Sequence, residues 1–182
     1  MRTAAPTVRL DDLIEVYREL LHLPDPTPLL AALAAVAANM LPAGDPVWVL
    51  LVGPPASGKS EIIDSLRGVP GAVSVSTMTP ASLLSAHTQG GGGFLRTQFS
   101  TGRGLLLVKD LTSVLNGDPA ARDELLSMLR EVYDGHIERA VATNKAPLAW
   151  AGKIGLISGV TEAIEQYRDI IALMGNVSST CQ

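Results

Sequence analysis

The segment Gly53-Pro54-Pro55-Ala56-Ser57-Gly58-Lys59-Ser60 spaces two glycines across a short loop and closes it with a lysine and a hydroxyl. That pattern suits a polyphosphate. Gly53 leaves the preceding segment with little steric restriction, and Gly58 lets backbone approach phosphate oxygens. The amides from about Ala56 to Ser60 are expected to point into one concavity at a helix start, where unsatisfied N–H groups favour an anion. Lys59 would set a point charge on the β- and γ-phosphates, and the Ser60 hydroxyl is a candidate magnesium ligand. Pro54 and Pro55 stiffen the loop and lower its ordering cost. Residues Gly53, Pro54, Pro55, Ala56, Ser57, Gly58, Lys59, Ser60 and Glu61 are therefore the candidate cofactor-binding set, with ATP and Mg2+ as the expected cofactors.

Such a loop needs acids at the end of a neighbouring apolar strand, one for magnesium and one to polarise an attacking water. Leu105-Leu106-Leu107-Val108-Lys109-Asp110 ends such a strand, but Lys109 stands where the first acid is usual. Asp110 then takes the magnesium-shell role, or the water-polarising role with Ser60 as the main metal ligand, or it only caps its loop with Thr112 or Ser113. Ser158 or Thr161, at the end of a strand from Ile154, is a candidate contact for the γ-phosphate or the water; Thr161 equally suits a helix cap. Arg139 and Arg168 are candidates for a finger reaching a neighbouring subunit, or plain solvated arginines. With Lys59, the candidate catalytic residues are Asp110, Ser158 and Arg168, and the candidate metal ligands are Ser60 and Asp110. His22, His87 and His136 lack metal-ligand spacing. Gly90 to Gly93, with Phe94, Arg96 and Phe99, reads as a substrate-gripping loop or as a flexible linker over the site.

The elements that must hold these groups follow from periodicity. Leu10, Leu13, Ile14, Tyr17, Leu20 and Leu21 recur at helical spacing, with Asp11 and Asp12 near the positive end. Thr27-Pro28 is a plausible start for a second helix to about Met40, whose alanines permit close packing on a sheet. Val47 to Val52 is apolar throughout, as in a parallel strand buried on both faces. Further strands are expected at Val73–Ser76, Leu105–Val108 and Ile154–Ser158, the last between the two motif strands. Helices are expected from Lys59 to about Leu66, after Thr79-Pro80, from Asp118-Pro119 to about Tyr133, and from Thr161 through Tyr167. The stretch from His87 to about Thr101 reads as a mobile excursion. Alternating strands and helices predict an α/β fold, a three-layer α/β/α domain with a mostly parallel sheet. Residues 1–41 would form a helical extension packed on a core of residues 42–182, one domain overall.

Length and composition agree with this. The chain has 182 residues, enough for one sizeable core, with 47% hydrophobic and 18% charged residues. A mean hydropathy of +0.26 is high for a lone domain, which points to subunit interfaces or to apolar surface lacking its cover. The net charge of −4 gives no basic footprint for coating a duplex, though a ring channel needs only a few cations per subunit. Cys181 is the one cysteine, so disulfide frameworks and cysteine zinc clusters are excluded. No signal pattern opens the chain, and the apolar run Leu29–Leu41 is too short for a bilayer. The expectation is a cytoplasmic protein without a membrane partner.

The phrases LLVKDLTSVL, LREVYDGHIER and WAGKIGLISGVT, with STMTPASLL upstream and the glycine loop before them, resemble AAA+-like P-loop ATPases of phages and actinobacterial mobile elements. The resemblance covers roughly Leu10 to Gly175. It implies an AAA+-like strand order and ATP hydrolysis by homo-oligomers or larger complexes in DNA replication, recombination or mobile-element maintenance, with nucleic acid in an oligomer pore. It also implies that Lys109-Asp110 is this group's form of the acidic motif. Such proteins continue into a fifth strand and a helical lid. Here the polar segment Asn176 to Gln182 reads as a poor strand, and no C-terminal lid is expected. A small-molecule or nucleotide kinase is the alternative, although Gly90 to Arg103 offers only Arg96 and Arg103 for a lid. A nucleotide-switched assembly module with little turnover is the third reading.

Overall fold

A computed structural model of the chain describes residues 8–41, 44–85, 92–140 and 147–161, and the backbone of 177–181. Seven helices and seven strands lie within those residues. Helices α1 (Leu10–Leu20) and α2 (Thr27–Met40) precede strand β1 (Trp48–Val52). Helix α3 (Lys59–Ser65) follows, and a single 3-10 turn leads to β2 (Ala72–Val75). Short helices α4 (Pro80–Leu83) and α5 (Phe94–Thr97) come before β3 (Arg103–Val108). Next are α6 (Thr112–Leu115), the long α7 (Pro119–Asp134), β4 (His136–Arg139), β5 (Leu148–Ala151), β6 (Lys153–Val160) and β7 (Val177–Cys181).

Five strands pair in parallel in the order β2-β3-β6-β1-β7, and β4 pairs antiparallel with β5 as a separate hairpin. The side-chain period of two assigns each central strand to both faces. Val49 and Leu51, Leu105 and Leu107, and Ile157 pack with Leu29, Ala32 and Ala35 of α2 and with Ile62 and Ile63 of α3. Trp48, Leu50, Val52, Leu106, Val108 and Leu156 meet the other face, with Leu83 of α4 and Leu125, Met128, Leu129 and Val132 of α7. Helices thus cover both faces, which is why β1 is buried at every position.

Asn39, the polar interruption in the apolar α2 run, brackets the start of β1. Its Nδ2 donates to the carbonyls of Ala35 and Val47, and its Oδ1 accepts from Val47 N–H, each over 2.9 Å. At the other end of α2, the Asp25 carboxylate accepts from Thr27 N–H and Thr27 Oγ1. Asp25 therefore satisfies the first amide of the helix, and Thr27 is the first helical residue, one earlier than Pro28.

Three expectations need correction. The polar tail does form a strand: β7 lies beside β1 at the sheet edge, where backbone pairing on one side suffices. The excursion from His87 ends early, because Leu95 and Phe99 are fully buried and Trp150 Nε1 donates to the Phe99 carbonyl over 2.8 Å. The β4–β5 hairpin was unforeseen, and it delivers Ile137, Leu148 and Trp150 to the core. The helix expected after Thr161 lies outside the described residues.

Apolar surface remains on the first helices. Leu10, Val16 and Leu20 of α1 and Met40 at the end of α2 are exposed. Among the described residues, no helix is long and apolar enough to cross a membrane.

Candidate functional site

The parallel strands β1, β6 and β3 end at one edge of the sheet. Val52 pairs with Val160 and Val108 with Ser158, so the residues after β1, β6 and β3 emerge side by side. With neighbouring strands spaced about 4.8 Å apart, the exits of β1 and β3 stand about 10 Å from each other.

Gly53 continues β1, is buried, and donates its N–H to the Val160 carbonyl over 3.2 Å. Pro54, Pro55, Ala56 and Ser57 then form an exposed loop. Ala56 has φ of 62°, a left-handed value that is uncommon without glycine, and Gly58 has φ of 84° just before α3. The loop is held in this shape from inside. Lys59 Nζ donates to the Gly53 carbonyl at 2.8 Å, the Pro54 carbonyl at 2.6 Å and Ser57 Oγ at 3.0 Å. The ammonium is thereby centred in the curl of the backbone. Ser60 and Glu61, on the first turn of α3, are exposed.

A cavity of about 570 Å³ opens beside the loop, lined by Ala56 to Glu61 and, across from them, by Leu21, His22 and Pro24. The α1–α2 connection thus walls the site. Its only sequence signal was the proline cluster that ends α1, and His22, read as a surface residue, stands in that wall.

The second half of the site is the exit of β3. Asp110 is exposed, and its Oδ1 accepts from Thr112 N–H over 2.8 Å, while its carbonyl accepts from Ser113 Oγ over 3.1 Å. The loop-capping role is therefore real, and it leaves the carboxylate at the sheet edge shared with Gly53. Leu111 N–H donates to the Gly159 carbonyl over 3.0 Å, which ties this loop to β6.

The arrangement differs from expectation at three residues. Ser158 is fully buried and donates to the Val108 carbonyl over 3.0 Å. Strand β6 runs two residues further than expected, so its polar end is Thr161 and Ser158 does not face the cavity. Thr161 donates its N–H to Thr112 Oγ1 over 2.9 Å, and the two hydroxyl oxygens lie 3.4 Å apart. Arg139 is ion-paired with Glu124 of α7, so its guanidinium is committed within the chain. Phe99, read as part of either a gripping loop or a flexible linker, is core. Arg168 and His87 lie outside the described residues.

Lys109 turns away from Asp110. Its Nζ lies 2.6 Å from Asp64 Oδ2 on α3, and both side chains are about three-tenths exposed. Asp64 carried no local signal in the sequence, because its partner is remote along the chain.

No family model matches the chain, and no curated protein matches it either.

Proposed function

We propose that the chain binds ATP with Mg2+ at residues 53–61 and works as an AAA+-like P-loop ATPase. The carrying observation is the Lys59 ammonium, held at the centre of a glycine loop between a fully buried parallel strand and a helix. Three oxygens surround a cation there, and a polyphosphate offers the same donor better acceptors. The loop therefore fits the group: Gly58 to Ser60 amides and Lys59 would take the phosphates, and the wall of Leu21, His22 and Pro24 would bound the rest. Exposed Ser60 and Asp110 suit a hard cation, which takes oxygen ligands. Bound Mg2+ would supply charge neutralisation at the phosphates.

The chain's own residues then divide the work. Lys59 binds and orients the phosphates. Asp110 stands at the exit of β3, about 10 Å from the loop strand by strand spacing, where it can ligate the cation or hold a water. Thr112 fixes the Asp110 and Thr161 loops to each other. The sheet order, with β6 between β1 and β3, agrees with the AAA+-like reading. The motor function in DNA replication, recombination or mobile-element maintenance rests on the phrases quoted above, and the exposed apolar residues of α1 fit a protein that assembles with other copies. A cytoplasmic setting is part of this proposal.

The kinase alternative loses support from Arg103. That arginine opens β3 at the opposite edge of the sheet and donates to the Leu41 carbonyl over 3.1 Å, far from the phosphate end.

The test is ATP binding with and without Mg2+, followed by ATPase rate against protein concentration with single- and double-stranded DNA. Absence of ATP binding sinks the site. A rate per subunit that ignores both concentration and polynucleotide sinks the motor.

A further inference from the structure

Lys109 poses an electrostatic problem for any site that gathers phosphates and a divalent cation beside Asp110. Its backbone has no room to turn away: its N–H donates to the Val75 carbonyl over 3.1 Å, and its own carbonyl lies against β6 at Gly159. A Cβ on Gly159 would stand 2.6 Å from that carbonyl oxygen, so the close approach itself requires glycine. Only the side chain can choose where the charge goes.

Asp64 makes that choice. Ser60 and Asp64 are four residues apart on α3 and therefore share one face, separated by about one helical turn of 5.4 Å. The Lys109 ammonium on Asp64 Oδ2 is thus drawn to the helix one turn behind the Ser60 hydroxyl. The other carboxylate oxygen, Oδ1, is buried and accepts no hydrogen bond among the described residues. Arg67 Nε lies 3.0 Å from it, yet donates to Ser74 Oγ, so Arg67 contributes charge without a bond. Lys109 is accordingly the hydrogen-bonding partner of Asp64 here.

We propose that Asp64 is a positioning residue which holds the Lys109 ammonium back on α3, so that this cation does not compete with the divalent metal between Ser60 and Asp110. The inference rests on the nucleotide reading of the 53–61 loop. Released from Asp64, the lysine reaches toward the phosphates or Asp110 and opposes metal entry, while metal-free ATP gains a cation and binds no less tightly.

The test is equilibrium ATP affinity titrated against Mg2+, with thermal midpoints recorded alongside. Asp64→Leu, which leaves the lysine no acceptor, is expected to raise the Mg2+ concentration for half-maximal enhancement of ATP binding about tenfold, with metal-free affinity undiminished. Asp64→Leu combined with Lys109→Met should return that concentration to within about twofold of the parent, because the competing cation is gone. Lys109→Met alone should lower it or leave it unchanged, and Asp64→Ala serves if Asp64→Leu does not fold. A purely structural tie between α3 and β3 would lower the thermal midpoint in both single variants and leave the Mg2+ dependence where it was; that result overturns the proposal. So does a raised Mg2+ requirement in Lys109→Met. If the parent protein binds no ATP, the reading of the loop falls and takes the proposal with it. If it binds ATP with Mg2+ and the variants do not shift, the proposal alone falls.

Discussion

The backbone amide of Thr161 donates to the hydroxyl of Thr112 across 2.9 Å, joining the exits of β6 and β3 through one side chain. Thr112 gives its own amide to Asp110 Oδ1, so a single threonine sets the relative position of both loops at this edge of the sheet.

Thr112→Val keeps the shape of that side chain and removes its oxygen. The part-buried Thr161 amide is then left without its acceptor, which should cost about 1 kcal/mol in urea unfolding. Turnover should fall more than ATP affinity does, because the loop around Asp110 loosens while the 53–61 loop is untouched. Equal losses in both would mean that the threonine only supports the fold.

Asp110→Asn separates capping from chemistry. An asparagine oxygen can still accept from Thr112 N–H, so stability should stay within about 0.5 kcal/mol of the parent. With the negative charge gone, Mg2+-dependent ATP hydrolysis should drop at least about a hundredfold. Unchanged hydrolysis in that variant would restrict Asp110 to its turn.

Lys59→Ala removes the donor to Gly53, Pro54 and Ser57. ATP affinity, read by calorimetry, should fall by about tenfold or more, in line with the loss of a charged hydrogen bond to phosphate. Because the site is exposed, the thermal midpoint should move far less than it does for a core substitution.

Phe99→Ala is such a substitution. The ring is fully buried and lies edge-on to Phe94 with centroids 6.4 Å apart. Truncation should cost about 3–5 kcal/mol in urea unfolding. A loss under about 1 kcal/mol would return Phe99 to the exposed loop that its glycine-rich neighbourhood suggested.

The turn from β1 into α3 was readable because Gly53 and Gly58 mark its curvature and a wholly apolar strand precedes it, whereas the left-handed φ of Ala56 had no signal of its own. The apolar runs of β1 and β3 were readable because double-sided burial leaves no polar positions. Ser158 misled because a hydroxyl on a buried strand can bond the neighbouring strand's carbonyl, and sequence does not distinguish that from a strand end. The hairpin strands Ile137 and Trp150 belong to are short and lie on either side of residues 141–146, so neither offers a long alternating pattern. Asp64 and Lys109 meet only through the packing of α3 on the sheet, a contact with no local pattern to reveal it.

Strand β6 has a further consequence for how the protein is made. It occupies the middle of the sheet, paired with β1 on one side and β3 on the other, yet it is synthesised after both. Until the ribosome has released residues 153–160, β3 is paired with β2 alone, and the backbone donors and acceptors of β1 and β3 that face β6 have no strand to bond. Closure of the sheet then depends on contacts more than a hundred positions apart, such as Trp48 with Ile154, which favours slow folding and a transient need for protection from aggregation.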